Sequence, residues 1–259
     1  MVKRKTYKFQ KGKVIEVEEF HHAQYGGPGK KRSKKKERTK EEIEKINQYN
    51  KTKRCRHRII EYFDKNDLFV TLSYEIEKRP EDMKGAIRDF QKTMREVRNI
   101  YKRSGRELFW IRNIERGTKG AWHIHLIINQ IGNTEHIIRE AWKKGGVYIE
   151  SMKTSKYYTE DYKRLAAYMT KNEKTKETKK DGQESKPRLK EASYSISRNM
   201  PLPEPKERLM CRWQKEPKPK KGYYIAEMHE GINPVTGYLY RRYTMLQIQK
   251  PQKRKRLKP

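Results

Sequence analysis

The sequence predicts an α+β fold in which a central sheet of about five strands packs against flanking helices. Short segments of strand-forming residues alternate with segments of helical periodicity over residues 63–200. Only 33% of the 259 residues are hydrophobic, which is too few for one core over the whole chain. We therefore expect a basic, partly disordered N-terminal arm over residues 1–62, a folded domain over 63–200, and a basic C-terminal extension with a β-hairpin over 201–259.

The first elements of the domain are a strand and a long helix. Leu68–Tyr74 predicts a strand with two largely apolar faces, as in the middle of a sheet. The helix that follows has apolar residues at four- and three-residue steps from Met83 to Tyr101, and Gly105 ends it. This helix is predicted to stabilise the sheet, and we assign it no chemistry. Upstream, Glu41–Tyr62 predicts a polar helix with a thin apolar stripe.

The next two strands carry a candidate metal site. Side chains alternate along a strand, so His123 and His125 point to the same face. The Gly117/Gly120 turn folds the strand Leu108–Glu115 back antiparallel to the histidine strand, which brings the Glu115 carboxylate beside the imidazoles. Two histidines and one carboxylate with open positions form a set that binds divalent metals. The alternative is a pair of partly exposed histidines without a metal.

The remaining elements are predicted from composition. They are a short helix beginning at Asn133 or Thr134, a fourth strand at Gly146–Ser151, a linker or mobile loop over residues 172–190, a last strand at Ser193–Ser197, and a hairpin with arms at Gly222–Glu227 and Tyr238–Ile248 around the Asn233–Gly237 turn.

A helix from about Thr159 to Lys171 carries a candidate nucleophile. At 100° per residue, Tyr158, Tyr162, Leu165 and Met169 form its buried stripe. Tyr168 lies at the edge of the stripe, and Lys171 follows on nearly the same side. A phenolate can attack phosphorus, while a nearby ammonium favours the phenolate and offsets charge on the phosphoryl oxygens. The alternative is a boundary tyrosine on a basic helix.

The charge of the chain points to a polyanion as its partner. Lys and Arg number 65 against 33 Asp and Glu, which gives a net charge of +32. Nucleic acid is favoured over a membrane surface, because no apolar run is long enough to cross a bilayer and no long basic amphipathic helix or lipidation signal accompanies the charge. With no secretory signal and with Cys55 and Cys211 as free thiols, we expect a cytoplasmic, DNA-associated protein. Unpaired bases could stack on Trp122, Tyr148 or Tyr157, although any of these can instead be core.

Three segments together resemble the HUH endonucleases, and in particular the rolling-circle replication initiator (Rep) proteins of plasmids and phages. The segments are Phe69–Tyr74 for the first strand, His123–His125 for the metal motif, and Tyr168–Lys171 for the Tyr-x-x-Lys motif. The resemblance covers about residues 65–200. It implies a central antiparallel sheet of about five strands with flanking helices, and a Mn²⁺ or Mg²⁺ ion on His123, His125 and Glu115.

The same resemblance implies a reaction. It is the metal-dependent, sequence-specific nicking and joining of single-stranded or hairpin origin DNA through a 5′-phosphotyrosine, with Tyr168 and Lys171 as the catalytic residues. Joining by this route needs no nucleotide, and the chain has no Gly-x-x-x-x-Gly-Lys-Ser/Thr loop. Unwinding would fall to a host helicase, which works with the host replication machinery. Tyr162 points about 120° away from Tyr168 on a helix, which predicts one nucleophile, with Tyr157 as the runner-up.

Three other interpretations compete with this one. An RRM-like single-stranded nucleic-acid-binding protein without chemistry needs exposed aromatics on the sheet face, where this sequence has His123 and His125. An iron oxygenase with two histidines and one carboxylate is usually built on a larger β-barrel, and it would leave the charge of +32 without a role. A relaxase or transposase of the same superfamily is the third. Relaxases usually show a third histidine and an N-terminal tyrosine, and such transposases are usually shorter.

Overall fold

The structure, a computed structural model, describes residues 1–21, 39–175, 189–232 and 238–248. Over these ranges it has two antiparallel five-stranded sheets and four α-helices, which confirms the predicted α+β class. The chain forms two compact units, Met1–Glu37 with Pro203–Pro259, and Arg38–Leu202. Within the described ranges, no helix combines the length and apolar character that crossing a membrane requires. The predicted Asn233–Gly237 turn and most of the predicted 172–190 linker lie outside the described residues.

The elements are named in chain order. They are β1 (Val2–Phe9), β2 (Val14–His21), α1 (Lys40–Tyr62), β3 (Leu68–Ser73), α2 (Met83–Arg103), β4 (Trp110–Gly117), β5 (Trp122–Ile128), α3 (Thr134–Ala141), β6 (Val147–Ser151), α4 (Lys163–Met169), β7 (Leu189–Ile196), β8 (Lys206–Met210), β9 (Tyr223–Ile232) and β10 (Leu239–Gln247).

The sheet of the central unit has the strand order β6-β3-β5-β4-β7, with each strand antiparallel to its neighbours. The five strands predicted over residues 63–200 are therefore confirmed, and the histidine strand β5 is the middle one. One face packs on α2 and α3 through side chains such as Ile124 and Leu126 of β5. The other face carries Ile127 and packs on α1 and α4. The two-residue period of β5 thus divides its apolar residues between two cores.

Helix α4 begins later than predicted. The sequence predicts a helix from about Thr159, but Tyr162 has a left-handed backbone (φ 56°), so the helix starts at Lys163. Asp161 accounts for the start, because its Oδ1 accepts hydrogen bonds from the Lys163 amide and the Thr159 hydroxyl. The predicted stripe is therefore wrong at its first two members, since Tyr158 and Tyr162 precede the helix, whereas Leu165 and Met169 are buried in it as predicted. By contrast, Gly105 follows α2 as predicted, with a φ of 64°.

The sheet of the terminal unit has the strand order β8-β1-β2-β10-β9. The predicted C-terminal hairpin is confirmed, because β9 and β10 pair antiparallel. In the N-terminal residues, β1 and β2 pair antiparallel over eight positions, from Val2↔His21 to Phe9↔Val14. Buried apolar side chains explain why these two strands are folded, since Val2, Phe9 and Ile15 are each at most 3% exposed. The division into arm, domain and extension rests on composition and function, and it stays a prediction.

Candidate active site

The strands β4 and β5 place two imidazoles and a carboxylate on one face of the central sheet. The rings of His123 and His125 lie nearly parallel, with 6.3 Å between their centroids and 20° between their planes. The antiparallel register pairs Glu115 directly with His123. The carboxylate reaches diagonally to the second histidine, with 3.4 Å between Glu115 Oε2 and His125 Nε2. The hairpin therefore brings these three residues together as predicted.

Helix α4 adds the tyrosine and the lysine to this face. The Tyr168 hydroxyl lies 2.8 Å from His125 Nε2. The Lys171 ammonium lies 3.0 Å from Glu115 Oε2 and 4.1 Å from the centroid of the Tyr168 ring. All five candidate residues predicted from the sequence thus form one connected cluster, although they are spread over 57 positions of the sequence. Their chemical roles stay predictions.

Aromatic side chains hold the Tyr168 ring in place. Tyr157 stacks on it with 3.8 Å between centroids, and Phe69 meets it edge-on at 5.9 Å. The runner-up nucleophile Tyr157 is therefore a direct neighbour of Tyr168. Tyr162 packs edge-on against Tyr158 instead, and burial raises the pKa of its phenol, which disfavours a phenolate there.

Two polar residues of the sheet orient the cluster, and the sequence did not single them out. The fully buried Asn113 donates from Nδ2 to Glu115 Oε1 at 3.0 Å and to the Lys171 carbonyl at 3.1 Å. On the other side of β5, Thr71 Oγ1 lies 3.1 Å from His125 Nδ1. In the sequence, only the positions of these two residues indicate that they contact the cluster. Asn113 is two residues before Glu115 and therefore on the same strand face, and Thr71 pairs with His125 in the register.

Helix α1 fixes the end of α4 beside the site. Gln48 Nε2 donates to the Thr170 carbonyl at 2.8 Å, and the hydroxyls of Thr52 and Thr170 are 2.7 Å apart. Thr170 is fully buried and directly precedes Lys171. The helix that the sequence describes as polar therefore uses its polar side chains to hold the segment carrying Tyr168 and Lys171.

The charges around the cluster set the protonation of its members. Burial of Glu115 works to raise the pKa of its carboxyl group, but the hydrogen bond and charge of His125 and the ammonium of Lys171 outweigh it, so the pKa lies below its ordinary 4.5. Burial, followed by the charge of His125, lowers the pKa of His123 below its ordinary 6.5. At neutral pH the site therefore holds an ionised carboxylate and a neutral imidazole at His123, which are the forms that bind metals.

The residues fit a divalent cation in their chemistry and in the face they share. Ligands bonded to one metal at about 2.1 Å lie about 3 Å apart, and the gap between Glu115 Oε2 and His125 Nε2 is close to that. In the arrangement seen, however, the carboxylate also holds Lys171. Across the described ranges, no group of three or more His, Cys, Asp or Glu side chains is already arranged to hold a metal ion. The side chains are thus of the kinds that bind divalent metals, but they are not already arranged as a complete coordination site.

The three aromatics considered as stacking surfaces differ in exposure. Trp122 is only 2% exposed and has the Arg116 guanidinium over its ring at 5.3 Å, so it is a core residue. Tyr148, on the edge strand β6, is 62% exposed. Tyr157 is partly buried against Tyr168. Of the three, Tyr148 is the one whose ring faces solvent freely.

Comparison with known proteins finds one family match. Residues 67–173 match the model of the family described as replication-associated protein ORF2. The matched segment runs from β3 to just beyond α4 and contains Glu115, both histidines, Tyr168 and Lys171. No curated protein and no solved structure matches the chain. The part of the chain that forms the candidate active site is therefore similar to replication-associated proteins.

Proposed function

We propose that this protein initiates rolling-circle replication by sequence-specific nicking and joining of single-stranded or hairpin origin DNA, as an HUH-type endonuclease. One observation carries the proposal. The Tyr168 hydroxyl lies 2.8 Å from Nε2 of His125, on the strand that also carries His123, inside the segment similar to replication-associated proteins. A phenol at this distance from paired imidazoles stands where a phosphate held at the histidines would be in reach of attack.

The proposed reaction is a transesterification at phosphorus. A bond forms between Tyr168 Oη and the phosphorus, and the bond from phosphorus to the 3′ oxygen breaks. The proton lost by the phenol is balanced by the proton that the leaving 3′ oxygen takes up. The products are a 5′-phosphotyrosyl DNA strand and a free 3′-OH, and attack by another 3′-OH reverses the step and joins the strands. The Lys171 ammonium, 4.1 Å from the ring centroid, stabilises the phenolate as it develops.

His123, His125 and Glu115 would hold the ion, Mn²⁺ or Mg²⁺. When bound, it would polarise the oxygens of the scissile phosphate. Two other side chains of the sheet orient these donors. Asn113 fixes the Glu115 carboxylate, and Thr71 fixes the ring of His125. We expect the protein to act on DNA in the cytoplasm, with a host helicase unwinding the duplex for the host replication machinery.

The proposal is tested by a nicking assay on pooled single-stranded oligonucleotides from the intergenic DNA beside the gene. Wild-type protein with Mn²⁺ is expected to give a protein–DNA adduct on a denaturing gel. Tyr168→Phe and the double variant His123→Ala/His125→Ala are expected to give none. Tyr148→Phe is the matched control, because it removes an exposed phenol of the same unit, and it should react like wild type.

Two results would reject this assignment. An adduct that survives Tyr168→Phe would move the nucleophile to another tyrosine, with Tyr157 as the first to test. A wild-type protein that binds the oligonucleotides, including the true origin, and cuts none would leave a single-stranded nucleic-acid-binding protein without chemistry.

A further inference from the structure

The central unit has a second concave surface, on the face of its sheet opposite the candidate active site. A groove of about 780 Å³ lies between α2, β4 and the end of β7. Arg112 lines it and contacts Phe90 of α2, whereas its neighbour Asn113 points to the histidine face. The side chains around the groove are strongly basic, with Glu107 as the one acid among them. The basic residues are Arg95, Arg98, Lys102, Arg106, Arg112 and Arg198.

Arg112 is the most unusual of these residues, because it is a buried cation. It is 6% exposed, and its Nη1 donates to the Ser193 carbonyl at 2.8 Å. Its Nε is buried without a hydrogen-bond partner, and no carboxylate pairs with it among the described residues. Burial lowers the pKa of its guanidinium to about 10, which still leaves it charged at neutral pH. A buried, unpaired charge is unfavourable, and an anion in the groove would compensate it.

Helix α2 supplies a row of further cations to the rim. Arg95, Arg98 and Lys102 follow at three- and four-residue steps and therefore lie on one side of the helix. All three are exposed, and none forms an ion pair with a described residue. The sequence predicts only the apolar stripe of this helix, and these cations lie outside that stripe.

The floor of the groove is aromatic. Trp110 meets Phe90 edge-on, with 5.1 Å between ring centroids, and both residues line the groove. Trp110 Nε1 is buried without a hydrogen-bond partner. A basic rim above aromatic rings is the combination that binds single-stranded nucleic acid, since the cations hold phosphates and the rings contact bases. A duplex offers phosphates to such a rim but keeps its bases stacked inside.

We propose that the groove between α2 and β7 is a binding site for a single DNA strand. Arg112 and the α2 cations would hold its phosphodiester backbone, with a base at Trp110. Its volume is within the range of pockets that enclose a small organic ligand, which suits one or two nucleotides of the strand. The groove would hold DNA away from the histidine face, so one unit could hold a strand at two places. This inference does not depend on the proposed nicking reaction.

The test compares two double variants of the same helix. Arg98→Gln/Lys102→Gln removes two cations of the groove, and Lys92→Gln/Arg103→Gln removes one lysine and one arginine that are exposed on α2 but do not line it. Binding of a short fluorescent single strand is measured by anisotropy over a salt series without metal. A phosphate contact to single-stranded DNA contributes about 0.7 to the slope of log K against log salt, which is roughly fourfold in affinity at 0.15 M salt. For the groove variant we expect Kd to rise roughly tenfold and the slope to fall by about 1.4.

The control variant is expected to bind within about twofold of wild type, by the same reasoning on contacts. Equal loss of affinity in both variants would show that only total charge matters and would overturn the proposal. Loss confined to duplex binding would overturn the single-strand assignment.

A photocrosslinking experiment locates the strand directly. A strand containing 5-iodouracil should crosslink to a peptide that includes Trp110. Crosslinks confined to other peptides would also overturn the proposal. A protein that never nicks but passes these tests would refute the proposed reaction and leave the groove in place.

Discussion

The two five-stranded sheets of this protein use their buried polar residues in different ways. In the terminal sheet, the fully buried Glu19 is paired with Arg241 and with Arg4, so its charge is satisfied within the strands. In the central sheet, the buried Glu115 is shared between His125 and Lys171, next to a phenol. The same architecture thus contains one carboxylate enclosed by arginines and one beside groups that bind metals and attack phosphates. The difference separates a structural ion pair from a candidate catalytic cluster.

The largest effect on stability is expected at the enclosed carboxylate. Glu19→Gln removes the buried carboxylate that pairs with Arg241, which is 1% exposed, and leaves Glu230, 3.6 Å from Arg241 Nη1, as its remaining acidic neighbour among the described residues. Loss of one member of a buried pair typically costs about 3–5 kcal/mol. Chemical denaturation should show this loss for the unit that contains the terminal sheet. Glu207→Gln is the matched control, because Glu207 pairs with Lys3 and Lys5 at the surface. If both variants unfolded at the same denaturant concentration, Glu19 would not be the structural ion pair described here.

The next effect concerns the orientation of Glu115 in the central sheet. Asn113→Ala removes the amide that holds Glu115 Oε1 and the Lys171 carbonyl, and loss of such a supporting hydrogen bond lowers metal affinity or activity about 10–100-fold. The concentration of Mn²⁺ that gives half-maximal adduct formation should rise. Asn99→Ala, an exposed asparagine on α2, serves as the control. An unchanged Mn²⁺ requirement together with lowered stability would mean that Asn113 has only a structural role.

A smaller contrast lies in the two cysteines, one in each unit. Cys55 is fully buried, and burial raises the pKa of its thiol to about 12, whereas Cys211 is exposed. A thiol reagent should therefore modify one cysteine of the native protein and two after unfolding. With Cys211→Ser the native protein should stay unmodified. Rapid modification of that variant would show that the α1 end of the central core opens readily.

The smallest effect is expected from acid on the central unit. The pKa of His123 lies below its ordinary 6.5 in the folded state, so the unfolded chain binds the proton more readily. The stabilising contribution is present above about pH 6.5 and is lost as the pH falls below it. The urea midpoint of wild type should therefore decrease from pH 7.5 to 5.5 more than that of His123→Asn. Equal decreases in both proteins would place the acid sensitivity elsewhere.

The sequence predicts the central sheet well because its signals are local. Strand alternation puts His123 and His125 on one face, and a tight turn returns Glu115 beside them, so the register needs no knowledge of the rest of the fold. The roles of Asn113 and Thr170 depend on partners 58 and 118 positions away, and no local sequence pattern indicates such contacts. The left-handed Tyr162 was missed because the capping side chain of Asp161 competes with helical periodicity.

The terminal sheet shows more clearly which features local sequence patterns do not predict. Its strand β2 pairs with β10, more than 200 positions later, for instance through Glu19 and Arg241. A segment rich in lysine, such as β1, has the composition of a solvated arm unless its partner strands are known. The α2 cations were overlooked for a related reason. Helical periodicity identifies the apolar face of α2 that packs on the sheet. It does not indicate that the cations beside this face line a groove.

The central claim, that Tyr168 is the nucleophile, is tested most directly by mass spectrometry of the trypsin-digested protein–DNA adduct. Cleavage after Arg164 and Lys171 leaves Tyr168 as the one tyrosine of its peptide, Leu165–Lys171, while Tyr157, Tyr158 and Tyr162 share the peptide Tyr157–Lys163. After nuclease trimming, we expect the mass of a 5′-linked nucleotide on Leu165–Lys171. The same mass on Tyr157–Lys163, with Leu165–Lys171 unmodified, would contradict the claim.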